Sequence, residues 1–140
     1  MKKQISIFLL ILLSSVCVKA QYPLQMLGST IQNINRDCPM KIDDDMILTR
    51  VLNTKPYVIF ETTVSEAEID IPTAGKHKKE LKKIYEKMLE EMAKKDDFAS
   101  LLYLIAANDK GLRFRLIGNK TNKSLDIVFD QYELAPLVNL

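Results

Sequence analysis

The fold depends on one stretch, residues 97–108, which reads Asp-Phe-Ala-Ser-Leu-Leu-Tyr-Leu-Ile-Ala-Ala-Asn. The apolar run from Leu101 to Ala107 is compatible with a buried strand. However, Asp97 is a natural N-cap and the alanines favour a helix. Helical spacing is also followed by Phe98, Leu101, Leu102 and Ile105. We interpret the stretch as a helix, with Gly111 available for a left-handed cap after Asn108.

A longer helix is predicted just before this stretch. Its apolar residues recur on one helical face, and lysines and glutamates occupy the remainder. The apolar positions are Leu81, Ile84, Tyr85, Met88, Leu89 and Met92. Pro72 and Thr73 mark the approach to its start. Two successive helices therefore occupy the middle of the chain.

Two β-hairpins are predicted on either side of these helices. In the second, alternate apolar residues lie on both sides of the polar turn at 118–123. These residues are Leu112, Phe114 and Leu116 before the turn, and Leu125, Ile127 and Phe129 after it. We expect Asp126 or Asp130 to pair with Arg113 or Arg115 on the polar face. The first hairpin joins residues 46–52 and 57–64 across a break that ends in Pro56.

The segments at the two ends of residues 21–140 complete the expected fold. Residues 21–28 are interpreted as an arm, followed by a short helix with Ser29 as N-cap that ends before Pro39. Residues 132–138 add a helical turn or an extended tail. No internal repeat or linker divides the chain. The expected fold class is α+β: a small antiparallel sheet of two hairpins with helices packed on one face, in a single domain at residues 21–140.

Residues 1–20 are typical of an export signal. Lys2 and Lys3 form a positive start, Ile7 to Leu13 is an unbroken apolar run, and residues 18–20 suit signal peptidase cleavage after Ala20. The wider apolar stretch from Ile5 to Val18 has 14 residues, fewer than the roughly 20 that span a membrane. Acylation at Cys17 is the alternative to cleavage after Ala20, and would tether the protein to a membrane. The expected location is the periplasm, the cell envelope or the extracellular space.

Removal of the signal changes the charge and the cysteine content. Three lysines leave with it, so 17 basic residues remain against 18 acidic ones and the net charge falls from +2 to −1. A nearly neutral exported protein lacks the positive field that favours nucleic acid, so nucleic-acid binding is not expected. Of the two cysteines only Cys38 remains, so the mature chain cannot form an internal disulfide.

The predicted order of elements begins with a short helix, which runs into the segment Asn35-Arg36-Asp37-Cys38-Pro39-Met40-Lys41-Ile42-Asp43. A hairpin and a charged helix follow. Gly111-Leu112-Arg113-Phe114-Arg115 and a late Glu133-Leu134 come next. In this order the chain resembles small exported bacterial proteins of unassigned function. The resemblance spans most of the mature chain through apolar and turn positions. It implies a one-domain envelope protein and transfers no catalytic residue.

Cys38 and His77 are the first candidates for chemistry. A lone exported thiol can be a nucleophile, a redox group or a link between two chains. A cysteine nucleophile needs a base, and His77 is the one histidine of the chain. Nothing in the sequence places His77 near Cys38. Free cysteine is commonly buried, so the simplest interpretation is a structural side chain.

Two charged runs suggest ligands but lack the required spacing. Residues 75–79 contain no complete P-loop, because Asp70 occupies the place of its first glycine. Asp43, Asp44 and Asp45 are not followed by the glycine and glutamate of a calcium loop. With one histidine and two cysteines in the whole chain, a zinc site is not expected. We interpret both runs as solvated surface.

No catalytic, cofactor-binding or metal-binding residue is assigned from the sequence. We therefore expect an exported non-enzymatic protein that binds another macromolecule, with a protein as its partner, and an inhibitor or immunity-type protein is one version. A membrane is expected as a partner only if Cys17 is lipidated. The alternative from a different class is a small thiol-dependent enzyme or redox protein that uses Cys38.

Overall fold

The computed structural model describes residues 23–139 as an alternation of helices and strands. The elements are α1 (Pro23–Arg36), β1 (Met40–Asp43), β2 (Met46–Asn53), β3 (Tyr57–Val64), α2 (Ile71–Lys76), α3 (Lys78–Met92), α4 (Asp96–Ala107), β4 (Gly111–Gly118), β5 (Ser124–Phe129), α5 (Gln131–Leu134) and a 3-10 turn (Ala135–Val138). The predicted signal at residues 1–20, cleavage after Ala20 and acylation at Cys17 lie outside the described residues. Within them, no helix combines the length and the apolar character needed to cross a membrane.

The five strands form one sheet in the order β1-β2-β3-β4-β5. Both predicted hairpins are present, since β2 pairs with β3 and β4 pairs with β5 in antiparallel fashion. The central strands β3 and β4 are parallel, in a register that runs from Tyr57 opposite Gly111 to Val64 opposite Gly118. A parallel pair needs a long crossover, and helices α2 to α4 supply it. Strand β1, which the sequence did not predict, pairs with β2 at the edge.

The helices lie on one face of this sheet. Leu27, Ile31 and Ile34 of α1 and Leu101, Leu102 and Ile105 of α4 share a buried cluster with inward-facing sheet residues. A smaller cluster joins Ile71 of α2 to β3, β4 and β5 through Val64, Leu116 and Leu125. The α+β class and the helices on one face of a single domain are therefore confirmed.

Residues 97–108 form helix α4, as predicted. The helix begins at Asp96, so Asp97 lies in its first turn and is not the N-cap. The left-handed residue after the helix is Asp109, with φ of 57°, rather than Gly111. Gly111 instead opens β4, where a Cβ would lie 2.5 Å from the carbonyl oxygen of Phe129 and 2.7 Å from the Tyr57 ring. Its missing side chain allows close packing in the sheet.

Helix α1 is longer than predicted. It begins at Pro23, so residues from Pro23 onward are helical rather than an arm, and Ser29 lies inside the helix. Gly28 lies within the helix despite its low helix propensity, because Leu27 and Ile31 on either side of it are both buried in the core.

The other helix ends follow local capping chemistry. Asp70 caps α2 by accepting a hydrogen bond from the Thr73 amide, and α3 begins after His77. Asp130 and Glu133 form a capping box at α5. Residues 131–138 are helical, which agrees with the helical alternative for the end of the chain.

Candidate functional site

The candidate site is the face of the sheet opposite the helices, which we call the open face. Successive side chains of a strand point to opposite faces, so the residues that alternate with the core residues project here. The cross-strand registers place on it Ile47, Thr49, Arg50, Leu52, Tyr57, Ile59, Glu61, Thr63, Arg113, Arg115, Ile117, Ser124, Asp126 and Val128.

A row of alternating charges crosses the open face at right angles to the strands. Arg50 Nε on β2 lies 2.7 Å from Glu61 Oε1 on β3, and Arg115 Nη1 on β4 lies 3.1 Å from Glu61 Oε2. Arg115 Nε also donates to Asp126 Oδ1 on β5 at 3.2 Å. We call these four residues the charge row. The predicted pairing of Asp126 is confirmed, whereas Asp130 caps α5 instead.

Glu61 is the most enclosed member of the charge row, and its side chain is only 7% exposed. Burial raises the pKa of Glu61, but hydrogen bonds from Arg50 and Arg115 and their positive charges together lower it more, so the pKa lies below its usual value. Hydrogen bonding to Glu61 and its negative charge also raise the pKa of Arg50. The ion pair thus holds both Glu61 and Arg50 in their charged forms.

Arg113 adjoins the charge row on β4. Its Nη1 lies 3.6 Å from Asp126 Oδ2, and its guanidinium carbon lies 4.6 Å from the centre of the Tyr57 ring, a cation–π arrangement. The Tyr57 ring can approach because Gly111 beneath it has no side chain. Arg113 Nε is buried and has no hydrogen-bond partner among the described residues. These contacts hold a third arginine in place on the open face.

Apolar and hydroxyl side chains border the charge row on both sides. Ile59 is buried yet belongs to neither core cluster. On the other side, Ile47 is 42% exposed and the hydroxyls of Thr49 and Thr63 are 2.8 Å apart. The open face therefore combines charged, hydroxyl and apolar side chains.

The structure does not bring Cys38 and His77 together. Cys38 precedes β1 at one edge of the sheet and packs against the core. His77 follows α2, which contacts β4 and β5 at the other side. Burial and the negative charge of Asp37 raise the pKa of Cys38, which is opposite to the shift that activates a thiol nucleophile.

The other predicted candidates are surface features. Asp43, Asp44 and Asp45 lie at the turn between β1 and β2, where Asp43 Oδ1 accepts a hydrogen bond from the Asp45 amide at 2.7 Å. Within residues 23–139 there is no group of three or more metal-ligating side chains. The lysines of residues 76–79 lie at the exposed junction of α2 and α3, as expected for a solvated run.

Glu66 has a structural role that the sequence did not suggest. Its carboxylate accepts hydrogen bonds from the amides of Lys120 and Thr121 and from the Thr121 hydroxyl. These bonds hold the pKa of Glu66 below its usual value, and the bonds from Thr121 have the largest effect. Gly118 makes room, because a Cβ there would collide with the Glu66 carboxylate. Glu66 therefore fastens the β4–β5 turn to the segment that follows β3.

Comparison with known proteins supports the fold. No protein-family model and no curated protein sequence matches the chain. The chain is similar in structure to a Pseudomonas aeruginosa protein described as a putative secreted protein, whose crystal structure superposes with a TM-score of 0.61 at 14% sequence identity. The match covers 83% of this chain and 99% of the Pseudomonas protein. At this identity the similarity extends to the fold alone.

Proposed function

We propose that the protein is exported and binds another macromolecule through the open face, without catalysing a reaction. The observation that carries this proposal is the charge row, an ordered pattern of ion pairs set between apolar borders on the face away from the helices. Fixed charges give a surface orientation and selectivity towards a partner. An inhibitor or immunity-type protein acts in this way, by covering a surface of its target.

Export is supported by residues 1–20 and agrees with the description of the Pseudomonas protein as a putative secreted protein. Cleavage after Ala20 leaves a mature chain that begins at Gln21 in the periplasm, the envelope or the extracellular space. Intact-mass measurement of the protein recovered from its own host tests this step. A mass that retains Cys17 with an added acyl chain would show a tethered lipoprotein instead.

Binding fits the open face better than catalysis does. Glu61 stays ionised because its pKa is lowered, and Arg50 stays protonated because its pKa is raised. The raised pKa of Cys38 gives no support to a thiol mechanism. The groups brought together by the fold thus suit recognition.

Affinity capture from the envelope fraction of the host tests the proposal. The bait is the mature chain, with Ile47→Lys as the open-face variant and Ile84→Lys as its matched control. Ile47 is 42% exposed on the open face and Ile84 is 37% exposed on helix α3, so both substitutions add the same charge at similar exposure.

A captured protein is then purified and tested for direct binding. The proposal requires that wild type and Ile84→Lys bind it and that Ile47→Lys binds at least about tenfold more weakly. Equal binding by both variants, or no specific partner at native abundance, would count against the open face as the binding surface.

A further inference from the structure

We infer that the partner on the open face is a second copy of this chain, stacked face to face about a two-fold axis. The axis would lie midway between the two facing sheets and run parallel to the strands, above the line that separates β3 from β4. This inference rests on the proposed function, because it names the partner of the same surface. It follows from the order of charges in the charge row.

The charge row is complementary to itself under this rotation. Rotation about the axis places β2 of one copy over β5 of the other, and β3 over β4. Arg50 then faces Asp126 of the second copy, and Glu61 faces Arg115 of the second copy. The signs alternate over four strands, from positive on β2 to negative on β5, so every charge meets its opposite. An alternation over three or five strands would bring like charges together, which is unfavourable.

The borders of the row also meet suitable neighbours. Leu52 would face Val128 of the second copy, Ile59 would face Arg113, and Thr63 would face Ile117. Arg113 keeps Asp126 and the Tyr57 ring of its own chain as partners. Facing sheets pack about 10 Å apart with their strands within about 30° of each other. A rotation of that size moves the outer charges by about 4 Å, which the long arginine side chain can follow.

The size of the open face agrees with a reversible dimer. With the axis between β3 and β4, the strands that overlap are β2 to β5. These four strands are about 4.8 Å apart and six to eight residues long, which gives a flat area of about 480 Å² per copy. A standard interface buries about 800 Å² on each partner, so the expected affinity is at the weak end, roughly micromolar. Each charge is already paired within its own chain, and burial of ion pairs adds little net energy. The charge row therefore sets the orientation, and the apolar borders supply most of the attraction.

Sedimentation equilibrium of the mature chain tests the dimer over concentrations from about 1 to about 500 µM, which bracket a weak interface. The expected result is a mass that rises towards twice the monomer mass. Thr63→Lys and Ile117→Glu should each raise the dissociation constant at least about tenfold, because each homodimer contains two unpaired new charges. Ile84→Lys on the helical side should leave the constant unchanged.

Mixing the two variants tests the geometry itself. A dimer of Thr63→Lys with Ile117→Glu has one new lysine–glutamate contact and one native contact, so the mixture should dimerise more tightly than either variant alone. No preference for the mixed dimer would overturn the proposed axis. Circular dichroism and thermal melts establish that each variant is folded. If Thr63→Lys or Ile117→Glu does not fold, Ile47→Lys is used in its place because Ile47 is more exposed. An unchanged dissociation constant for Ile47→Lys would overturn the proposed interface.

The test also separates this inference from the proposed function. A wild-type chain that stays monomeric, yet captures a different protein through the open face, would overturn the dimer and keep the binding function. A chain that stays monomeric and binds no partner through the open face would overturn both the dimer and the proposed function.

Discussion

Replacement of Glu61 by glutamine tests whether the charge row is a stabilising network. Glutamine keeps the size of the side chain but removes the negative charge that holds Arg50 and Arg115 together. A charge-assisted hydrogen bond is worth about 1.5 to 3 kcal/mol when buried and about 0 to 1 kcal/mol when exposed. Arg50 is 57% exposed, so solvent screens its bond to Glu61. Arg115 is 27% exposed, and its bond to Glu61 contributes about 1.5 kcal/mol.

We therefore expect Glu61→Gln to lower the free energy of unfolding by about 1.5 kcal/mol, or the melting temperature by about 6 °C. Urea unfolding followed by circular dichroism measures this change. Asp44→Asn is the matched control, because it removes the same charge from a 95% exposed carboxylate that pairs with Lys41 at the surface. A Glu61→Gln midpoint equal to that of Asp44→Asn would refute the reasoning.

The pH dependence gives a second readout of the same prediction. The pKa of Glu61 is lower in the folded chain than its ordinary value of 4.5, so the unfolded chain takes up this proton first as the pH falls. The stabilisation is therefore complete above pH 4.5 and is lost as the pH drops through the lowered folded value. The stability difference between wild type and Glu61→Gln should shrink in that range and stay constant at neutral pH. A difference that is constant at every pH would contradict an electrostatic origin.

Three further predictions concern positions outside the charge row. Gly111→Ala should reduce stability by about 2 kcal/mol or more, since its Cβ meets the Phe129 carbonyl oxygen; an unchanged urea midpoint would contradict this. Glu66→Gln should speed hydrogen exchange of the Thr121 amide, and wild-type protection should persist to below pH 4.5 because the pKa of Glu66 is lowered; equal exchange rates would exclude the turn contact. Cys38 should react more slowly with a thiolate-selective reagent in the native chain than in urea; rapid native labelling at neutral pH would revive the thiol alternative.

The sequence predicted those elements whose pattern is local. The apolar stripe of α3 and the alternation of β4 and β5 repeat with the period of their own element, so they could be read without knowledge of the partners. Residues 97–108 required a choice, and the choice of helix was correct because alanines and apolar spacing agree. The four-residue strand β1 is too short to show any alternation, and it forms because its backbone can pair with β2.

The sequence predicted one contact of the charge row, between Arg115 and Asp126, but not the contacts of Glu61. Arg115 and Asp126 face each other in a predicted hairpin, so their contact follows from local register. The link from Glu61 to Arg115 depends on the parallel pairing of β3 with β4, which are joined through three helices. A glutamate within an otherwise apolar and β-branched strand was the available signal that it has a specific partner. Its partners could not be named because the order of strands was unknown.

The same long-range pairing determines how selective and how strong the proposed binding through the open face would be. Every charge of the row is paired inside the chain. A second copy in the proposed orientation would place an opposite charge next to each member of these pairs. A partner that is shifted by one strand would place like charges together and be rejected. Because the internal pairs must be loosened as new ones form, the gain on binding is small. A surface built in this way favours one orientation of reversible association, which suits a protein that works by contact.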